Sequence, residues 1–301
     1  VVRDAASEAI GINGTLEFSS TENTRLKVGT ILVYGHHQEP ELGVDPCPFC
    51  AQHLPHPEGG TFTIATKNPA IRTQVIFSGR VDPTQDTGQM KLGFLAMGGH
   101  VHISGARVDQ TYAETIRAER GARFIEVSGT VDWKKGDELY LADSQSGVDP
   151  TAPGFVYQGE RVVVRSVVQL AGGRTRIDLE QSLTYDHAEA GHRGTVTLIT
   201  RNVVFESENP YSIATRFHLM IAGDTHSLIR YALLREGGRT TTDVLDDASP
   251  KGSGTNQRGR YALHFHHPSS KAVAEGNMIF NDPVRIGPNG EAALANKIKW
   301  G

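Results

Sequence analysis

The chain has 301 residues, 33 of them glycine, with a formal net charge of −4 and a sequence pI near 6.4. That length holds one large β domain or two smaller ones, while the acidic balance and scattered basic residues exclude a dominant phosphate-binding surface, so nucleic acid is not an expected partner. No apolar run approaches the roughly 20 residues that cross a bilayer, and Cys47 and Cys50 are too few to staple a chain of this size. The start at Val1 suggests a removed leader or a trimmed chain, and a soluble piece is expected.

Apolar alternation marks strands at residues 25–34, 61–65, 73–77, 91–97, 100–103, 123–127 and 138–141, most of them closed by glycine. The best helical candidate is residues 112–120, a short piece ended by Gly121. Further strands are expected at residues 161–168, 175–179, 195–206, 217–221, 227–233, 261–266 and 272–280. Short strands with no helices between them form either a sandwich or a solenoid of stacked coils. The second half favours the solenoid. Asn202-Val203-Val204-Phe205-Glu206, Ser227-Leu228-Ile229-Arg230-Tyr231 and Glu275-Gly276-Asn277-Met278-Ile279-Phe280 each run from a polar step into an apolar pair, as where a coil turns a corner and re-enters the core.

Three runs carry a family likeness: Leu26-Lys27-Val28-Gly29-Thr30-Ile31-Leu32-Val33-Tyr34-Gly35, Gly98-Gly99-His100-Val101-His102-Ile103-Ser104-Gly105-Ala106 and Trp133-Lys134-Lys135-Gly136-Asp137-Glu138-Leu139. They resemble the eight-glycine domain of fibrocystin-like receptors, of hyaluronan-degrading cell-surface and secreted proteins, and of many bacterial extracellular proteins. Leu198-Ile199-Thr200-Arg201-Asn202-Val203-Val204-Phe205, Gly238-Arg239-Thr240 and Gly259-Arg260-Tyr261-Ala262-Leu263-His264-Phe265-His266 look like the parallel β-helix that follows it in bacterial members. The resemblance implies an all-β chain, with an eight-glycine β domain at residues 1–155 and right-handed parallel β-helix coils at 156–301. It also implies a secreted or cell-surface location and a polysaccharide partner, without by itself implying catalysis. Residues 45–56 are longer and richer in metal-capable side chains than the family loop. The stop at Lys299-Trp300-Gly301 reads as a fragment, or as a solenoid capped by residues 283–294; an open end would allow self-association.

The central chemical candidate joins His218, Arg239, Asp243, Asp246, Asp247, Arg260, His264 and His266. On a strand, His264 and His266 share one face while His267 points the other way, and stacked coils make sequence-distant residues neighbours. Asp243 with Asp246 or Asp247 offers the paired carboxyls of glycoside hydrolysis. Lyase chemistry on a uronate polymer would instead use Arg239 and Arg260 to neutralise substrate charge, with His218 in the binding set and His264 or His266 as base or metal ligand. The competing account is structural: the aspartates cap a loop and the arginines pair with them to hold the coil.

Cys47, Cys50, His53 and His56 form a Cys-x2-Cys-x2-His-x2-His array whose ligand types match tetrahedral zinc, against a Cys47–Cys50 disulfide or free thiols. Zinc or calcium are the expected ions, and no organic cofactor is expected. His36-His37 reads as solvated, and His100 with His102 as a second ligand pair or an outward polar face. Asp186-His187 and His192 read as exposed, and Asn13-Gly14-Thr15 matches a glycosylation sequon. Serine-hydrolase, NTPase and dinucleotide motifs are absent from the sequence. The expected function is binding, with or without cleavage, of an acidic hyaluronan- or uronate-like polysaccharide; the alternative is a non-catalytic adhesion or structural module.

Overall fold

The computed structural model describes residues 4–35, 59–86, 88–145, 149, 153–189, 192–240, 245, 256–267, 272–281 and 298–300. The chain forms two compact units, residues 1–107 with 201–301, and residues 108–200. The boundary expected at 155/156 falls inside the second unit, because the chain leaves the solenoid after Arg107 and re-enters it at Arg201. Residues assigned to a separate N-terminal domain therefore build the first coils of the solenoid itself.

The first unit is a parallel β-helix. Its first coil contributes Asp4–Ile12 and Thr15–Glu17, and its second Thr24–Tyr34 and Thr61–Ala65. The third contributes Thr73–Phe77, Gly93–Met97 and His100–Ser104, and the fourth Val203–Ser207, His218–Ala222 and His226–Arg230. The fifth contributes Ala232–Arg235, Leu263–His266 and Ala272–Glu275, and the sixth Met278–Phe280 and Ile298–Trp300. Each strand pairs in parallel with its counterpart in the next coil, about 4.8 Å away. Thr24–Tyr34 serves two faces: Thr24 pairs with Thr73, but Thr30 pairs with Gly93. Its burial changes phase there, from Leu26 and Val28 to Ile31 and Val33, so the strand turns a corner while staying extended.

Inward side chains fill the solenoid: Val28, Ile31, Phe62, Val75, Phe94, Val101, Phe205, Leu219, Ile229, Leu234 and Phe265 share one core. Phe62 meets Phe94 edge to face at 4.9 Å, and Phe77 stacks on Phe217 at 4.8 Å. Two of the three polar steps, those of Asn202 and Asn277, sit at corners as their pattern predicts, whereas Ser227 lies buried inside the His226–Arg230 strand. Asn202 donates to the carbonyls of Thr66 (2.8 Å) and Ile71 (2.9 Å) and accepts from the Ala106 amide (2.8 Å). Asn277 does the same at the equivalent corner two coils on, donating to Ile229 O at 2.7 Å and accepting from Ala232 N at 2.9 Å. Three runs expected as single strands break at such corners: at residues 199–202, at Tyr231 with φ 52°, and at Gly276-Asn277. A cleft of about 640 Å³ at the first coils is lined by Ala5, Ile10, Leu16, Phe18 and Leu26, and includes none of the described candidate site residues.

The second unit is a closed antiparallel barrel of Tyr112–Arg117, Phe124–Ser128, Glu138–Leu141, Glu160–Leu170, Arg174–Leu179 and Thr195–Leu198. Residues 112–117, expected as a helix, are a strand: Ala113 and Thr115 alternate inward between exposed Tyr112, Glu114 and Ile116. His187, expected to be exposed, is fully buried; its Nδ1 lies 2.9 Å from Ala142 O and its Nε2 2.8 Å from Glu160 Oε1. Glu160 also accepts the amides of Thr184 (3.0 Å) and Tyr185 (3.1 Å). Burial pushes its carboxyl up, but the bonds from His187, Thr184 and Tyr185 together outweigh burial and hold it below the usual glutamate range. A depressed folded-state value means that the stabilisation is present above the unfolded glutamate pKa and is lost as pH falls through the folded one. Acid melting of the barrel is therefore expected to be steeper in the parent than in Glu160→Gln; parallel melting-temperature profiles would count against this reading.

Candidate functional site

Where the first solenoid face turns into the second, successive coils carry long connections: residues 78–92, 208–217 and 236–262. Local hydrogen bonds shape the first of these. Asp82 accepts from the amide (2.9 Å) and hydroxyl (2.7 Å) of Thr84, and Asp86 accepts the amides of Met90 (3.0 Å) and Lys91 (2.8 Å). Gln89 and Leu92 take φ of 50° and 56°, a left-handed conformation that costs about 1–3 kcal/mol in a side-chain-bearing residue.

Two arginines from the 236–262 connection hold that segment. Arg239, 1% exposed, donates from Nη1 to Leu92 O (2.8 Å) and Arg216 O (2.7 Å), and from Nη2 to Gln89 O (2.6 Å) and Lys91 O (3.0 Å). Arg260 Nε donates to Gly88 O (3.1 Å) and Gln89 O (3.0 Å), and its Nη1 donates to Arg258 O at 3.2 Å. Burial, then the charge of Arg260, lowers the Arg239 pKa to about 9, with Asp86 opposing; the group stays protonated at neutral pH. Carbonyl dipoles take the place of the water it has lost.

His218 is buried against this clamp, its Nδ1 3.0 Å from Arg239 Nη2. A guanidinium only donates, so Nδ1 accepts and the ring proton sits on Nε2, which is buried and without a hydrogen-bond partner among the described residues. Burial, followed by the charges of Arg239 and Arg260, drives the His218 pKa well below the ordinary histidine value. His218 is a neutral acceptor in this arrangement.

One coil further on, His264 is 6% exposed and its Nδ1 lies 2.8 Å from Gly259 O. A carbonyl only accepts, so Nδ1 donates and Nε2 carries the lone pair of the neutral ring. Gly259 has φ +80°, and a Cβ there would fall 2.8 Å from the His264 ring, so the position excludes larger residues twice over. Tyr261, His264, His266 and His267 follow one another edge to face, with centroids 5.4, 5.3 and 4.5 Å apart. His267 does not diverge from His266 as strict alternation requires, because its φ of 44° ends the strand and swings the ring back.

The fold thus brings His218, Arg239 and Arg260 into one buried cluster and sets His264 beside it, close enough to act on the His218 charge. Asp243, Asp246, Asp247, Cys47, Cys50, His53 and His56 lie outside the described residues. Sequence reasoning missed the 86–92 segment, whose only signal was the Asp86 turn. Among the described residues no three His, Cys, Asp or Glu side chains converge on a metal position, and no helix is long and apolar enough to cross a membrane.

The class defined by the coordinates is a parallel β-helix with a loop-built, imidazole-bearing corner. The chain is similar to a G8 domain-containing protein of Dictyostelium discoideum, 27% identical over 201 residues, covering 64% of this chain and 15% of that protein; this supports a G8-like assignment. No family model matches. Among solved structures, the chain is similar to the Gp54 tailspike of Acinetobacter baumannii bacteriophage AP22, solved with capsular saccharide, at 15% identity and TM-score 0.27, covering 93% of this chain and 32% of that one. The gp49 tailspike of Pseudomonas phage LKA1 matches at 11% identity and TM-score 0.26, over 74% of this chain and 36% of its own. The gp61 tailspike of Pseudomonas phage phi297 matches at 13% and 0.28, over 84% and 39%. Scores this low carry no weight for function, and the solenoid rests on its own parallel ladder.

Proposed function

We propose that the protein is a secreted or cell-surface β-helix that binds an acidic polysaccharide of the hyaluronan or uronate type at the loop-built corner and cleaves it there. The observation that carries the reading is the row Tyr261, His264, His266 and His267 beside the arginine-clamped 88–92 segment. His264 or His266 serves as base or metal ligand, Arg260 lends positive charge to the sugar carboxylate, and Asp243, Asp246 and Asp247 serve as acid–base or cation-binding carboxylates. Arg239 and His218, buried with their contacts turned inward, position the segment. Imidazoles suit zinc, and a His264 oriented through Nδ1 by a carbonyl has the outer-sphere bond of a ligating histidine. Calcium would draw on the carboxylates.

Incubation with hyaluronan, pectate, alginate and chondroitin, with Zn²⁺ or Ca²⁺ supplied, is expected to shorten at least one polymer on size-exclusion profiles. His264→Ala and His266→Ala are both expected to abolish that shortening, and at the less buried His266 melting stays near the parent's. Unchanged profiles for all four polymers would remove the cleavage reading. The second reading, a non-catalytic extracellular module, is favoured by the donors of Arg239 and Arg260 ending on backbone carbonyls. It predicts glycan retention on affinity electrophoresis without chain shortening, and a lowered melting temperature in His264→Ala.

A further inference from the structure

The third face of the solenoid carries histidines that the corner does not use. His100–Ser104 pairs in parallel with His226–Arg230, and the register sets His100 directly opposite His226. Val101, Ile103 and Ile229 point into the core, so both histidines stand on the outer side of the sheet, and both are exposed. Their rings meet at 4.9 Å between centroids with planes 77° apart. Two imidazoles that share one transition-metal ion, with metal–nitrogen bonds of about 2.0–2.1 Å and a ligand angle of about 90–110°, have centroids about 4.5–5.2 Å apart. The observed separation falls inside that range.

The backbone that launches the two side chains is fixed independently. Thr225 is fully buried; its hydroxyl accepts the Gly98 amide at 2.8 Å and donates to Ala222 O at 2.7 Å. The His226 amide donates to Gly99 O (2.9 Å) and the His100 amide to Gly60 O (2.9 Å). Both strands therefore begin at stapled corners, and little backbone ordering remains for an ion to impose. His102 shares the outer face two residues on, but the register sets Leu228 opposite it, so it has no such partner.

We infer that His100 and His226 form a two-imidazole chelate for a borderline divalent transition ion, with solvent completing the coordination shell, on a face separate from the corner site. Cu²⁺ binds most tightly and Ni²⁺ and Zn²⁺ follow, as imidazole affinities order them. Calorimetric titration with Cu²⁺ tests it on the parent, His100→Gln, His226→Gln, His102→Gln and the double variant at 100 and 226. Each single variant at 100 or 226 is expected to bind one ion fewer than the parent, and the double variant no fewer than either single, because the two rings share one ion. His102→Gln keeps the parent stoichiometry. Parent stoichiometry in either His100→Gln or His226→Gln, or loss of two ions in the double variant, overturns the inference. Should one variant fail to fold, pulsed electron paramagnetic resonance of the copper-loaded parent against the other variant decides: a two-imidazole signal that the variant loses supports the chelate, and a signal unchanged in the variant refutes it.

Discussion

Gly99→Ala is expected to destabilise the solenoid by about 2–4 kcal/mol, among the largest effects of any single methyl group added to this chain. Gly99 has φ +74°, and a Cβ there would lie 2.5 Å from Gly60 O and 3.0 Å from Tyr34 O. Neither carbonyl can retreat, because each belongs to the neighbouring coil: Gly60 O accepts the His100 amide, and Tyr34 O the Gly60 amide. Two controls divide the effect. Gly79→Ala, at φ +132° with only Leu92 Cδ1 3.8 Å away, carries the conformational cost without the clash. Gly14→Ala, with nothing within 4 Å, carries neither. Urea unfolding midpoints are expected to fall in the order Gly14→Ala, Gly79→Ala, Gly99→Ala; equal midpoints for the last two would show that coil-to-coil approach is not limiting.

Arg239→Met should cost about 3–5 kcal/mol, the range for removing one partner of a buried charged network. The substitution keeps the apolar stem but strips donors from the carbonyls of Gln89, Lys91, Leu92 and Arg216 and from His218 Nδ1, in a site closed to water. Arg260 still reaches Gln89 O, so the 88–92 segment is expected to loosen before the coil beneath it unfolds. Amide hydrogen exchange reads this directly: protection at residues 86–92 should drop more than at Leu219 or Ile221 in the adjoining strand. Parent-like protection together with a parent-like melting temperature would deny the arginine its clamping role. Arg239→Lys does not rescue, since an ammonium cannot span acceptors arranged for a planar fork.

Both effects depend on neighbours that alternation alone does not reveal. Strands at 61–65 and 138–141 were legible because each alternates inward and outward over its whole length, a property of local sequence. The helix expected at 112–120 failed on the same ground: Ala, Glu and Arg favour helix, but burial of Ala113 and Thr115 inside a closed barrel overrides a preference worth tenths of a kcal/mol per residue. His187 looked exposed beside a glycine-bearing connection, yet the barrel closes over it and Glu160 supplies its partner from 27 residues away. The candidate arginines were found, but their grip on the 88–92 segment was not. Only folding showed that Arg239 reaches carbonyls some 150 residues back along the chain.

By itself the sequence determined the secondary-structure period, the corners marked by Asn202 and Asn277, the glycine-bearing turns and the histidine-rich run after Gly259, because each follows from a residue's own backbone preference or side-chain chemistry. Tertiary structure alone decided that a barrel interrupts the solenoid, which coil lies on which, that His100 faces His226, and that Arg239 with His218 supports a loop. Those outcomes depend on register between coils: a slip of one residue would turn every inward side chain outward, and only burial of the complete core selects the pairing that forms.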